Sequence, residues 1–175
     1  MHVVLSRLLG AAVLALPLAT PLAVRAQKLD DATIVAIFDA ANTADVETAS
    51  LAARHSRNKE VRDLGAMFVR DHGTVRQQGR DLAKKLGVTP TPPANDQSGK
   101  DHATAMSLLS AKQGAEFDRA FMAHEVAYHA AVIEAVTKTL LPAISNAELK
   151  AFVIKIAPAF QAHLLAAQDL QKKIG

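Results

Sequence analysis

Apolar residues recur every three or four positions over four long segments of the chain, which is the spacing of amphipathic α-helices. The first predicted helix begins at Asp30 or Asp31 and ends near His55. The second runs from about position 58 to 86 and ends at Gly87, which prolines follow at positions 90, 92 and 93. The predicted inner face of the first helix is Ile34, Ile37, Ala41, Ala44, Thr48 and Leu51, and that of the second is Val61, Gly65, Phe68, His72, Val75, Gly79, Leu82 and Leu86.

The second half of the chain predicts one short helix, over about 101–111, and two further long ones. The third long helix follows Ser110-Ala-Lys-Gln113, which resembles a capping box, and ends before Pro142. Ser145-Asn-Ala-Glu148 is the capping box that opens the fourth, and Pro158 should kink that helix or split off its first two turns. The predicted inner faces are Phe117, Phe121, Glu125, Tyr128, Val132 and Val136, then Leu149, Val153, Ile156, Phe160, His163, Ala167, Leu170 and Ile174.

The lengths of the connections define the fold class. Short turns join helices 1 and 2 and helices 3 and 4, so each pair is predicted to be an antiparallel hairpin. The connection between helices 2 and 3 is long. This pattern predicts an all-α, ferritin-like four-helix bundle with one long crossover connection between helices 2 and 3, which carries the short extra helix.

Residues 1–26 have the pattern of a Sec-type signal peptide. A charge at Arg7 precedes an apolar run from Leu8 to about Ala19, and Val24-Arg25-Ala26 has small residues where a signal peptidase reads. Cleavage near Ala26 would leave residues 27–175 as one helical-bundle domain in the periplasm or associated with the envelope. The alternative is a leader retained as an anchor, although its apolar run is shorter than the roughly 20 residues of a transmembrane helix. No membrane span is expected in the mature chain.

Composition excludes several classes of function. The chain has no cysteine, which excludes disulfides and thiolate chemistry. Loss of the leader would leave 18 basic and 17 acidic residues, and aromatic residues are few, so nucleic-acid binding is not expected. No catalytic triad, phosphate-binding loop or nucleophile motif is present, so no catalytic residue is assigned.

Three histidines lie where a bundle would place apolar residues. His72, His129 and His163 fall on the inner faces of different helices, and Glu47 and Glu125 lie at similar depths, within a slab about 10 Å thick. Imidazoles and carboxylates in a bundle core can hold Fe, Mn, Zn or Cu. The alternative is a hydrogen-bonded polar network without an ion or other cofactor, because buried imidazoles need partners in either case.

Three segments resemble the DUF4142 family of exported bacterial proteins. They are Val61-Arg62 with the run from Met67 to His72, Phe117-Asp118-Arg119-Ala120-Phe121 followed by His129, and Leu149-Lys150-Ala151-Phe152 followed by Pro158 and His163-Leu164. The resemblance implies a ferritin-like bundle at the envelope, of a type often labelled putative outer membrane protein, and it implies no defined reaction.

The pattern departs from that of ferritin-like di-iron enzymes, which carry Glu-x-x-His pairs on two helices. Val69 and Phe160 stand three residues before His72 and His163, where carboxylates would be needed. An oxygen-activating di-iron enzyme is therefore disfavoured. Two hypotheses remain: a protein that binds a transition metal or small ligand in stress or metal handling, and a non-enzymatic module that contacts an envelope partner or a second copy of itself.

Overall fold

The computed structural model describes residues 29–175, and in that part of the chain it contains helices and no β-strand. The predicted signal peptide lies outside the described residues. The long helices are α1 (Asp31–His55), α2 (Lys59–Leu86), α4 (Gly114–Ala135) and α6 (Ala147–Ile174); the short ones are α3 (Ser98–Ser110) and α5 (Leu141–Ala143), and a π-helical segment (Val136–Leu140) precedes α5. The predicted all-α class and the short crossover helix are confirmed.

The helix ends follow from local capping. The side chains of Asp30 and Asn58 accept hydrogen bonds from the first free amides of α1 and α2. Gly87 ends α2 at φ 66°, a left-handed conformation that favours glycine. Asn146 caps α6 by accepting from the amides of Glu148 and Leu149.

Three local predictions need correction. Ser110 is the last residue of α3 and does not cap α4, which begins at Gly114 without a side-chain cap. The cap of α6 is Asn146, one residue after the predicted Ser145. Pro158 does not split α6, which runs through it. Because Pro158 has no N–H, the carbonyl of Ile154 lacks its donor within the helix. Ile154 is exposed, so water can hydrogen-bond to this carbonyl.

Contacts at the two ends of the bundle define the topology. His55, at the end of α1, donates a hydrogen bond to the carbonyl of Lys112 just before α4. At the other end, the Asp31 carboxylate accepts from the amides of Ser145 and Asn146, both at 2.9 Å. Helices α2 and α4 are therefore parallel, and the connection that contains α3 runs the length of the bundle, as predicted.

Helices α1 and α2 approach each other closely at Gly65. A Cβ atom there would lie 2.8 Å from the carbonyl oxygen of Ala49 and 3.0 Å from the amide nitrogen of Ala53. Only a residue without a side chain allows the two backbones this separation.

The core consists of two apolar layers with a polar layer between them. Aromatic residues fill the layer near the α1–α2 turn, where Phe68, Phe117 and Phe121 are fully buried. Aliphatic side chains such as Ile34 and Val153 fill the opposite layer. The histidines predicted to face inward lie between the two layers.

Helix α6 is long and apolar enough to cross a membrane by length and composition alone. A core helix can meet the same criterion, and one face of α6 is buried in the bundle, from Leu149 to Leu170. The composition of α6 is therefore weak ground for placing it in a membrane.

Candidate metal centre

Each of the four long helices contributes one residue to a cluster at the centre of the bundle, here called the core site. These residues are Asp45 on α1, His72 on α2, His129 on α4 and His163 on α6. Their exposed fractions are 1%, 4%, 1% and 6%, so the site is closed to bulk water. The rings of Phe68 and Phe160 pack against the imidazoles.

One nitrogen of each imidazole is held by a fixed acceptor outside the cluster. His72 Nδ1 donates to Asn42 Oδ1 at 2.9 Å, and His129 Nδ1 donates to the Glu125 carbonyl at 3.0 Å. His163 Nε2 donates to the Asp71 carboxylate at 3.2 Å. Such contacts determine the tautomer and ring orientation of metal-binding histidines.

The amide of Asn42 is itself oriented, because its Nδ2 donates to the carbonyl of Phe38 at 2.8 Å. Its oxygen must then face His72. The second nitrogen of each ring therefore has no hydrogen and carries a lone pair. These three nitrogens, His72 Nε2, His129 Nε2 and His163 Nδ1, all point into the cluster.

These inner atoms converge at separations that suit an ion. His72 Nε2 lies 3.1 Å from His163 Nδ1 and 3.3 Å from His129 Nε2. Asp45 Oδ2 lies 3.5 Å from the Nε2 atoms of His72 and His129. In a tetrahedral site the ligand–ligand distance is roughly 1.6 times the bond length, or about 3.3 Å for bonds of about 2.0–2.1 Å. These four separations lie near that value, and they are four of the six that a tetrahedral set of four ligands has.

Two buried carboxylates in this region have no hydrogen-bond partner: both oxygens of Asp45 and both of Glu125 are unsatisfied. Burial, and then the nearby Glu125, raise the pKa of Asp45 well above its usual range. Burial also raises the pKa of Glu125 to about 8, and the nearby Thr48 hydroxyl offsets part of this effect. Buried acids without partners are costly, so each of these groups needs a proton or a cation.

Two of the three imidazoles, those of His72 and His163, are kept neutral by their surroundings. Burial, followed by repulsion from His129 and His163, lowers the pKa of His72 to about 3. Burial also lowers the pKa of His163, and its bond to Asp71 opposes that shift. A neutral imidazole with one nitrogen already donating is the form that binds metals.

The structure brings three of the five predicted ligands together directly. His72, His129 and His163 meet at the core site, whereas the Glu125 carboxylate lies on the far side of His129, 3.5 Å from its Nδ1. Glu125 forms a second candidate group with Asp45 and His129, in which one ligand atom of each lies within 4.8 Å of the others. Whether the three histidines hold an ion stays a prediction.

Glu47 does not reach the core site, and its predicted position there is wrong. Its side chain is exposed and contacts His102 at 2.6 Å. The reason is that the inner face of α1 is rotated by one residue from the predicted one: it runs through Phe38, Asn42, Asp45, Ala49 and Ala52. Two residues correspond to about 200° around a helix, so Asp45 faces inward where Glu47 cannot.

Sequence reasoning missed Asp45, Asn42 and Asp71. The available signal was the four-three-four-three spacing from Phe38 to Ala52, with two polar residues in an otherwise apolar series. Because Asn and Asp are polar, Asn42 and Asp45 were not assigned to the core. Asp71 could have been found only through its contact with a different helix.

Comparisons with known proteins place this geometry in context. No curated protein matches the sequence. A solved structure of CopM in the Cu(II)-bound form is similar in fold, with a TM-score of 0.62 over 83% of this chain and 98% of that one, at 14% sequence identity. The family model described as "Domain of unknown function (DUF4142)" matches residues 17–170. The match covers the whole bundle almost to its last turn, and the chain belongs to the DUF4142 family.

Proposed function

We propose that this protein binds one divalent transition-metal ion in the bundle core and serves metal handling in the cell envelope. The ligands are His72 Nε2, His129 Nε2, His163 Nδ1 and Asp45 Oδ2. The observation that carries the proposal is that His72 Nε2 lies 3.1–3.5 Å from all three other ligand atoms, while the opposite nitrogen of each ring is held by another acceptor.

Charge balance supports a divalent ion. The ligand Asp45 is a buried carboxyl without a hydrogen-bond partner, and its ionised form would place a negative charge in a region that water does not reach. A divalent cation neutralises that charge and leaves one positive charge near Glu125, which would favour the ionised form of this second buried carboxyl. Imidazole and carboxylate donors, without sulfur among them, also favour a divalent ion over Cu(I), which prefers thiolate and thioether ligands.

The donor set favours Zn²⁺ among the divalent ions, because three imidazoles and one carboxylate supply the four nitrogen and oxygen ligands that zinc commonly takes. Cu²⁺ is the second candidate, since imidazole suits it as well. The structure named CopM, which holds Cu(II), shares the fold; its low sequence identity means that it does not select the ion here. The envelope location rests on the predicted signal peptide.

A second reading is that the cluster is only a structural polar network. The observation in its favour is that every ring already has one acceptor, in Asn42, Asp71 or the Glu125 carbonyl. That reading accounts for the outer nitrogens. It leaves the inner nitrogens facing one another and two buried carboxylates without partners, so the metal site accounts for more of the geometry.

Elemental analysis of the protein tests the proposal. The full chain is expressed without a tag, purified from the envelope fraction and compared with a His72→Ala/His163→Ala double variant. We expect about one Zn or Cu per wild-type chain and none in the variant. His55→Gln serves as the control, because it removes an imidazole outside the core and should keep the metal.

Circular dichroism shows whether the double variant is folded. If it is not, Asp45→Asn provides a second, nearly isosteric test. No metal in the wild type, and no uptake of Zn²⁺, Cu²⁺ or Fe²⁺ after chelation, would leave the structural network as the better interpretation.

A further inference from the structure

The core site is closed, so an ion needs a route to it. A small internal cavity of about 60 Å³ adjoins Asn42, Asp45, His72 and His129. This volume can hold a few water molecules or an ion. Its walls are otherwise apolar.

A much larger cavity lies between α1, α4 and the crossover. This crossover cavity has a volume of about 810 Å³ and is lined by Ala44, Glu47, His102, His124 and Tyr128, among others. It shares Ile37, Ala41 and Tyr128 with the internal cavity. The two cavities are therefore neighbours on opposite sides of the same few side chains.

Tyr128 is the aromatic residue among the three that line both cavities. The Tyr128 hydroxyl donates to the carbonyl of Ala41 at 2.9 Å, and its ring stacks on His124 at a centroid distance of 5.6 Å. On the α1 side the wall consists of alanines, including Ala40, Ala41 and Ala44. One hydrogen bond and one ring contact therefore hold the Tyr128 side chain in place.

The outer cavity carries ligand chemistry of its own. Glu47 Oε2 lies 2.6 Å from His102 Nε2, which pairs a carboxylate of α1 with an imidazole of α3 across the cavity wall. His124 lines the same cavity. A carboxylate with two imidazoles nearby suits the same divalent ions as the core site.

We infer that the crossover cavity is where the divalent ion first binds, at Glu47 and His102, and that Tyr128 separates this outer site from the core site. The inference rests on the proposed metal function. It gives Glu47 a role at the outer site, and it explains why a ligand pair lies in the cavity that adjoins the core.

Metal exchange kinetics test the inference. The full-length protein is stripped with a chelator, Co²⁺ uptake is followed by the visible absorption of tetrahedral cobalt, and release is followed by transfer to excess chelator. Tyr128→Phe should raise uptake and release rates by the same factor, about two- to tenfold, which corresponds to the loss of one hydrogen bond. The equilibrium affinity should not change, because a partition affects the barrier and not the bound state.

Glu47→Gln should slow uptake at least threefold without changing the affinity. Glu60→Gln is the matched control: Glu60 is also exposed, pairs with Lys173 and lies far from the cavity. We expect its rates to equal those of the wild type. Thermal unfolding of each variant shows whether the fold is retained.

The outcomes separate the two proposals. Absence of Co²⁺ or Zn²⁺ binding in the wild type would overturn both. Normal binding with unchanged rates in Tyr128→Phe and Glu47→Gln would overturn the route and leave the core site standing. Faster exchange in Asp71→Asn alone would place the entrance beside His163, between α2 and α6, and would also overturn the route.

Discussion

Replacing Glu125 with glutamine should change how the stability of the metal-free protein depends on pH. The side chain is fully buried, neither of its oxygens has a hydrogen-bond partner, and burial raises its pKa to about 8. In the unfolded chain the same carboxyl titrates near pH 4.3. Between these values the folded protein holds a proton that the unfolded chain has released, so stability falls as pH rises.

The effect of Glu125 can be measured separately from that of His72 above the pH at which histidine titrates in the unfolded chain. The lowered pKa of His72 acts in the opposite direction, since the folded protein then binds fewer protons than the unfolded chain, but this effect is lost above about pH 6.5. From pH 6.5 to 8 the Glu125 contribution is about 1.4 kcal/mol per pH unit, or about 2 kcal/mol in all. Asp45 acts in the same direction in both proteins, mainly through its burial, and the variant loses the smaller part of its pKa shift that comes from Glu125.

Urea unfolding in the presence of a chelator, at intervals from pH 6.5 to 8, measures the effect. The wild type should lose about 2 kcal/mol more than Glu125→Gln over this range. A buried glutamine amide without partners would lower the free energy of unfolding by the same amount at every pH, so it would leave the slope of stability against pH unchanged. Parallel curves for the two proteins would refute the reasoning, because they would show that Glu125 titrates alike in the folded and unfolded chains.

Four further predictions follow from the packing and from the core site. Gly65→Ala should destabilise the protein by about 1–3 kcal/mol, because its Cβ would meet the backbone of α1 at 2.8 Å. Gly73→Ala meets nothing within 4 Å and should stabilise the protein by about 0.5–1 kcal/mol, so that chemical denaturation should give the two variants opposite signs. Asn42→Ala should lower zinc affinity about 10–100-fold in a competition titration with a chelator, since it removes the acceptor that orients His72. His72→Ala should lower that affinity at least tenfold, and an unchanged value would exclude His72 as a ligand.

The fold could be predicted from the sequence because its signals are local and repeated. The stripe of α6 is an example: its positions from Leu149 to Leu170 alternate spacings of three and four, and the structure buries them all. The length of the connection after Gly87 was enough to predict the crossover. Details that depend on which of two neighbouring residues caps a helix, as at Ser145 and Asn146, were less accessible, because either side chain can accept the same amide hydrogen bonds.

The candidate site was predicted only as far as its histidines. A histidine on an apolar stripe stands out, so three of the four inward-pointing residues were found. Asp45 was missed because the apolar residues of α1 fit two inner faces one residue apart, and only packing against α2 selects between them. The Asp71–His163 contact joins residues 92 positions apart, for which a single sequence holds no signal.

One residue of the core site comes from each of the four long helices, so a bound ion would join every helix of the bundle to the others. A ligand that binds only the folded chain stabilises it by about 2.7 kcal/mol when its free concentration is 100 times its dissociation constant. Proteases degrade the unfolded chains, and the fraction of chains that is unfolded falls by the same factor of about 100. Chains that lack metal would be degraded first, and the amount of this protein would follow the metal supply even at a constant rate of synthesis.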